Sequence, residues 1–374
     1  MDRDVFVVAD NVFTPLGKTT TENFGNLLEG RSAVKQHADR AISAQPFFAS
    51  LFDKGTFPEN DHYTKFEQVL IASITDALKQ SGLKAPDQEN ILILSSTKGN
   101  VSLLETEKHS PELNERISLS ASAKLIAKHF GLVNQPIVVS NACVSGVVAI
   151  IAAMRLLRTG QHENAIIAGA DTISRFILSG FESFQALSPG ICKPFDKHRN
   201  GLNLGEGAGT IILSANQKYS GNTRVLGGGI SNDANHISGP SRTGKELSFA
   251  IDQALKDAGV TAEDIGFISA HGTATPYNDE MEANAIALSG LESVPLNSLK
   301  ANYGHTLGAA GLIESIVSVQ SLKEGLVLPT LGFEERGVSR PVNVAKSISK
   351  ITKSNFLKTA SGFGGCNAAI VFGK

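Results

Sequence analysis

The chain has no tryptophan and only three cysteines among 374 residues. Those cysteines stand far apart, at positions 143, 192 and 366. Such spacing builds neither a disulfide framework nor a cysteine-rich zinc site. Charge of one sign is also missing: 34 basic residues face 36 acidic ones, and no long basic block occurs. That balance argues against an electrostatic nucleic-acid binder. No apolar run reaches the roughly eighteen residues of a membrane span. The first residues read as a strand and lack the basic and long apolar regions of a signal peptide. A cytoplasmic location is therefore expected, and its reducing conditions suit a reactive thiol. Low-complexity linkers are absent, and the length suffices for two domain-sized units with a large core.

What is present is a cysteine in an unusual place. Cys143 lies in Ser140-Asn141-Ala142-Cys143-Val144-Ser145-Gly146. The β-branched run Pro136–Val139 before it reads as a core strand. The segment Gly146–Leu157 after it is apolar on nearly every side and reads as a buried helix. A sulfur at that junction faces the first turn of a helix, whose free N–H groups and dipole favour thiolate. Cys143 is thus a candidate nucleophile. An inert buried cysteine is the competing reading at this point.

The chain also repeats itself. Ile74–Asp87 and Ile251–Asp264 share seven of fourteen residues. Both are helix endings with a glycine cap that lead into a strand. A second pair follows in the same order: Pro136–Val139, an apolar helix and Gly160 match Pro295–Ser298, an apolar helix and Gly325. Two matches in register argue for a duplication into halves 1–215 and 216–374. Strands alternating with helices predict an α/β fold with mixed sheets. Helices apolar all round need cover on every side, so a five-layered α-β-α-β-α sandwich is expected with those two helices in its middle. His305 precedes the second buried helix as Cys143 precedes the first. A pseudo-twofold packing would bring both helix starts together.

Four further motifs accompany Cys143: Ser269–Glu282 around His271, Leu299–Gly311 around Lys300 and His305, Pro194–Gly209, and the glycine-rich turn Ser361–Ala368. Cys143, His271 and His305 have no short-spaced ligand pair among them, so no metal site is expected. The run Gly205–Gly209 is not read as a phosphate loop, because Glu206 would repel phosphate and a strand follows. Asp196, Arg199 and Glu206 are expected to form a structural ion-pair network.

Together with Thr14–Gly17, this ordered set closely resembles the β-ketoacyl-ACP synthases of the thiolase superfamily, the condensing enzymes of type II fatty-acid and polyketide synthesis. The resemblance implies a thiolase-like fold without a cofactor. It implies Cys143 as the acyl-accepting nucleophile and His271 and His305 as the catalytic histidines. It implies Lys300 and Glu282 as a supporting charged pair, and the N–H groups of Cys143 and Phe363 as the oxyanion hole. Phe363 would gate the site, and Phe181 would border the acyl pocket. Met154, with Val147, Ile150 and Ile151 on the first buried helix, is expected to supply apolar pocket wall. Implied partners are an acyl carrier protein, acyl and malonyl thioesters, and a second subunit, either a copy or a paralogue.

The chain departs from the family pattern in places. It is shorter, chiefly between Gly99 and Ser140, and Gln185 stands where some relatives carry a basic docking residue. Two other readings stand beside the condensing one. A chain-length-factor-type partner would normally lack the nucleophilic cysteine. A CoA-dependent thiolase would pair it with a second cysteine or an asparagine.

Overall fold

The computed structural model describes residues 3–235 and 237–374. Eleven strands form one mixed sheet: β1 (Phe6–Phe13), β2 (Asn90–Ser95), β3 (Ile137–Val139), β4 (Asn164–Asp171), β5 (Gly207–Ser214), β6 (Arg224–Asn232), β7 (Ile265–Ser269), β8 (Pro295–Asn297), β9 (Asn343–Val344), β10 (Asn355–Gly362) and β11 (Cys366–Gly373). Their order is β9-β8-β7-β10-β11-β6-β1-β5-β4-β2-β3.

Outward from the centre, the first five strands of the two sides match, and β9 adds a sixth to one of them. On one side β1 pairs antiparallel with β5, then come β4, β2 and β3. On the other β6 pairs antiparallel with β11, then come β10, β7 and β8. The expected half-sheets are joined at their first strands through Phe6 and Arg224, reinforced by Val7 N–H to the Thr223 carbonyl and Val225 N–H to the Val5 carbonyl. The outer helices α1 (Lys65–Ser81) and α4 (Lys245–Ala258) cover opposite half-sheets. Both end on a glycine at φ 66, Gly82 and Gly259, where a left-handed turn returns the chain to β2 or β7.

The middle layer is α2 (Ser145–Arg158) and α6 (Ala310–Glu324), each touching strands of both half-sheets. Their starts cross almost backbone to backbone. A Cβ on Gly146 would sit 2.5 Å from the Leu312 nitrogen, and one on Gly311 would sit 2.6 Å from Val147 Cγ2. Glycine at both positions lets the helices close, and this sets the loops before them, with Cys143 and His305, side by side. Met154 lies farther along α2, fully buried in the apolar core between the layers.

Candidate active site

Cys143 sits at a strained corner. Ala142 has φ 44, in the left-handed region that a residue with a Cβ rarely enters. The hydroxyl of Ser145 ties the corner down by accepting from Asn141 N–H at 2.8 Å and donating to the Ala142 carbonyl at 2.6 Å. The end of β10 packs directly against it. A Cβ on Gly362 would lie 2.9 Å from the Cys143 nitrogen, so glycine there lets the Phe363 and Cys143 N–H groups stand together.

Burial pushes the Cys143 thiol up to about 12, against the pull of Lys300 and of the Phe363 N–H. The expectation of a resting thiolate is therefore corrected. The helix begins only at Ser145, and the loss of water around a cysteine that is 8% exposed outweighs it.

His271 follows β7, and its ring stands 5.3 Å from that of His305 at 83°. Burial holds both imidazoles well below their ordinary value, with Lys300 and Lys358 acting in the same direction. Both are neutral rings able to donate one N–H. The backbone of His305 is clamped, its N–H to the Asn203 carbonyl at 2.6 Å and its carbonyl to Gly205 N–H at 3.0 Å. Its Nδ1 is buried without a partner.

The supporting charges differ from the sequence-based expectation. Lys300 does not pair with Glu282. Its Nζ binds Glu314 on α6, and Lys358 Nζ lies 2.8 Å from the other oxygen of the same carboxylate. Burial works to raise the Glu314 carboxyl, but the two ammonium groups hold it below its ordinary value. Glu282 instead accepts from the backbone N–H groups of His271 and Gly272, both at 2.8 Å, and from Thr359 Oγ1 at 2.6 Å. It is a brace for the His271 loop. The Asp196–Arg199–Glu206 network does not form either. Glu206 pairs with Lys65, Asp196 caps the backbone of His198, Glu334 and Glu335, and Arg199 donates to backbone carbonyls.

Two buried acids were missed. Asp171 ends β4, accepts from Gly308 N–H at 2.7 Å and Ser96 Oγ at 2.7 Å, and so fixes the loop after His305. Asp279 accepts from Phe195 N–H at 2.7 Å, and burial raises its carboxyl to about 7. A lone acid in an otherwise apolar segment is the signal that marks Asp171 in the sequence.

Cys143, His271 and His305 open onto one cavity of about 410 Å³. Phe181, Phe184 and Phe363 form its aromatic wall. Phe363 is 37% exposed at the hairpin tip, stacks on Phe181 at 5.7 Å and meets Phe184 edge-on at 5.3 Å. Gln185 also lines the opening. Met154, Val147, Ile150 and Ile151 do not; all four are packed in the core, and their assignment to the pocket wall is corrected. Among the described residues no three His, Cys, Asp or Glu side chains gather as a metal site.

Residues 2–218 match the family model of the beta-ketoacyl synthase N-terminal domain, and residues 223–334 that of its C-terminal domain. The chain belongs to the beta-ketoacyl synthase family. It is a condensing enzyme of the acyltransferase class, with the thiolase-like fold. It is 30% identical to 3-oxoacyl-[acyl-carrier-protein] synthase 2 of Vibrio cholerae over 410 aligned positions, covering 99% of each chain. It is 28% identical to nodulation protein E of Rhizobium meliloti, covering 100% of this chain and 99% of that one. Among solved structures, the ishigamide ketosynthase/chain length factor superposes with a TM-score of 0.89 at 27% identity over the full length of both chains. A beta-ketoacyl synthase from Burkholderia phymatum gives 0.88 at 25%, again over both full chains.

Proposed function

We propose that Cys143 carries the growing acyl chain and that His271 and His305 hold the malonyl-derived enolate. The observation that carries this reading is the meeting of one thiol, two neutral imidazoles and the Phe363 N–H at a single cavity. The sulfur attacks an acyl thioester, a neutral imidazole takes the thiol proton, and the departing carrier thiol receives one in turn. The oxyanion of that step lies between the Cys143 and Phe363 N–H groups. Malonyl thioester then loses CO₂, and the electron pair left behind forms an enolate whose oxygen accepts from both imidazoles. Its carbon attacks the acyl–Cys143 carbonyl, releasing the Cys143 thiolate and a 3-oxoacyl thioester. Lys300 supplies positive charge to the same pocket.

The substrates in this reading are carrier-protein thioesters, and the location is the cytoplasm. No helix among the described residues is long and apolar enough to cross a membrane. Among those residues Cys143 is the only cysteine on the cavity, which favours condensation over a two-cysteine thiolase. The same cysteine, set beside two histidines, disfavours a non-condensing partner subunit. The division into halves 1–215 and 216–374 belongs to this proposal as the boundary between a nucleophile half and a histidine half.

The aromatic wall predicts an apolar donor. Each methylene that enters such a pocket gains about 0.8 kcal/mol, or severalfold in binding. Incubation with malonyl-ACP and a series of acyl donors, read by mass spectrometry, should give 3-oxoacyl-ACP. Phe181→Ala should broaden the accepted lengths and leave malonyl decarboxylation intact. An absent product would overturn the condensing reading; an unchanged length profile would remove Phe181 from the pocket.

A twofold dimer is also part of the proposal. Strand β3 ends the sheet with its outer backbone edge unpaired among the described residues, an edge that a second subunit covers by strand pairing. Burial above about 2,000 Å² is expected for such an obligate pair. Analytical ultracentrifugation should show a dimer at micromolar concentration, and an active monomer would rule it out.

A further inference from the structure

Lys358 is a charge that the condensing chemistry above does not use. It lies within β10 and is fully buried. Its ammonium donates to the carbonyls of Ser269 at 3.1 Å, Ala270 at 3.2 Å and Thr359 at 2.8 Å. Three donors meet three acceptors, so the group is fully satisfied. The fourth neighbour is Glu314 Oε2 at 2.8 Å.

These partners belong to three catalytic supports. Ser269 and Ala270 directly precede His271. Thr359 leads along β10 to Phe363, and its hydroxyl donates to Glu282, the brace of the His271 loop. Glu314 binds Lys300 and sits on α6, the helix that follows His305. Two ammonium groups share one carboxylate, Glu314, behind the two histidines, with buried Glu282 as the next acid, in a region where charge is costly to bury. A lysine placed there for packing alone would be a poor choice beside an apolar residue of the same volume.

We propose that Lys358 is a positioning residue: its ammonium is a fixed internal cation in a cradle of three carbonyls and one carboxylate, and it locks the strand ends carrying His271 and Phe363 to the helix behind His305. The proposal rests on the condensing reading of the site. Carbonyl oxygens gathered in this way can replace the water shell of a monovalent cation. An ammonium or potassium ion therefore fits the same cradle once the side chain is cut back.

That property supplies the test. Malonyl-ACP decarboxylation is measured for the full-length protein, Lys358→Ala and Lys358→Met, in tetramethylammonium chloride and in ammonium or potassium chloride at equal ionic strength. In tetramethylammonium both variants should lose about a hundredfold in kcat, the scale of an ångström-level misplacement, with KM nearly unchanged. Ammonium or potassium should restore Lys358→Ala by at least about tenfold. Lys358→Met should not respond, because its side chain fills the cradle. Full activity of Lys358→Ala, equal impairment of both variants in every salt, or failure of both to fold in every salt would each overturn the proposal. Wild-type protein inactive in every salt would instead sink the condensing reading. The cradle is then judged by the thermal midpoint of Lys358→Ala, which should rise in ammonium or potassium and must not stay flat.

Discussion

His305→Ala should lower malonyl decarboxylation by at least about a hundredfold, the usual cost of removing one donor from a preorganised oxyanion site. His271→Ala should do the same. The two rings stand at 83° to each other at the cavity wall, so neither can take over the position of the other. Cys143→Ala should abolish acyl transfer yet retain decarboxylation, because the enolate rests on the imidazoles and not on sulfur. The pH response follows from the same burial. Both imidazoles are held well below 6.5, so the neutral ring persists as pH falls through that value. Wild-type decarboxylation at saturating malonyl-ACP should therefore not drop between pH 7.5 and 6.0 through histidine protonation, a range of about 1.5 units around the ordinary histidine value. A stopped assay of CO₂ release checks the decarboxylation statements, and mass spectrometry of the acyl-enzyme checks acyl transfer. Wild-type rates in both histidine variants would show that the enolate is held elsewhere.

Glu314→Gln should be the most destabilising single change near the site. It leaves Lys300 and Lys358, both fully buried, without a counter-charge. Breaking a buried ion pair from one side costs about 3–5 kcal/mol, and here two cations lose the same partner. The thermal midpoint should fall by many degrees, with activity falling alongside. The acid response has a defined sign. The folded carboxyl is held below its ordinary value of 4.5, so its stabilising contribution is complete above that pH. The contribution is lost as pH falls through the folded value. Wild-type protein should therefore lose stability below about pH 4.5 more steeply than Glu314→Gln. Thermal melts across that range decide the matter, and a shift under about 1 kcal/mol would show that the trio is not a stabilising ion cluster.

The grouping of Cys143, His271 and His305 at one cavity could be read from the chain because each stands beside an element with a clear period and a short motif. The layer order was readable for a similar reason: α2 is apolar on nearly every side, α6 sets only serines and one acid among its buried apolar residues, and both had to be interior. The same uniformity hid the pocket. An all-apolar helix gives no sign of which face meets a cavity, so the sequence points Met154 at the acyl wall, whereas it packs between layers. The charges were harder still. Glu282 lies near His271 in sequence and there reads as the partner of Lys300, whereas Glu314 is one acid inside a buried helix. That isolation was the available signal, since a lone carboxylate in such a helix requires a cation. Lys358 in a buried strand poses the complementary question. Only the fold shows that these two residues answer each other.

The crossing of α2 and α6 at Gly146 and Gly311 has an evolutionary reading. Where two helices meet backbone to backbone, their spacing does not depend on the size of an intervening side chain. Most of the core can then drift from one hydrophobic residue to another while the loops before the two helices keep their separation. A fold held this way tolerates long divergence, in keeping with a TM-score of 0.89 at 27% identity. Selection can rework the pocket walls for new acyl chains without first re-solving the placement of cysteine and histidine.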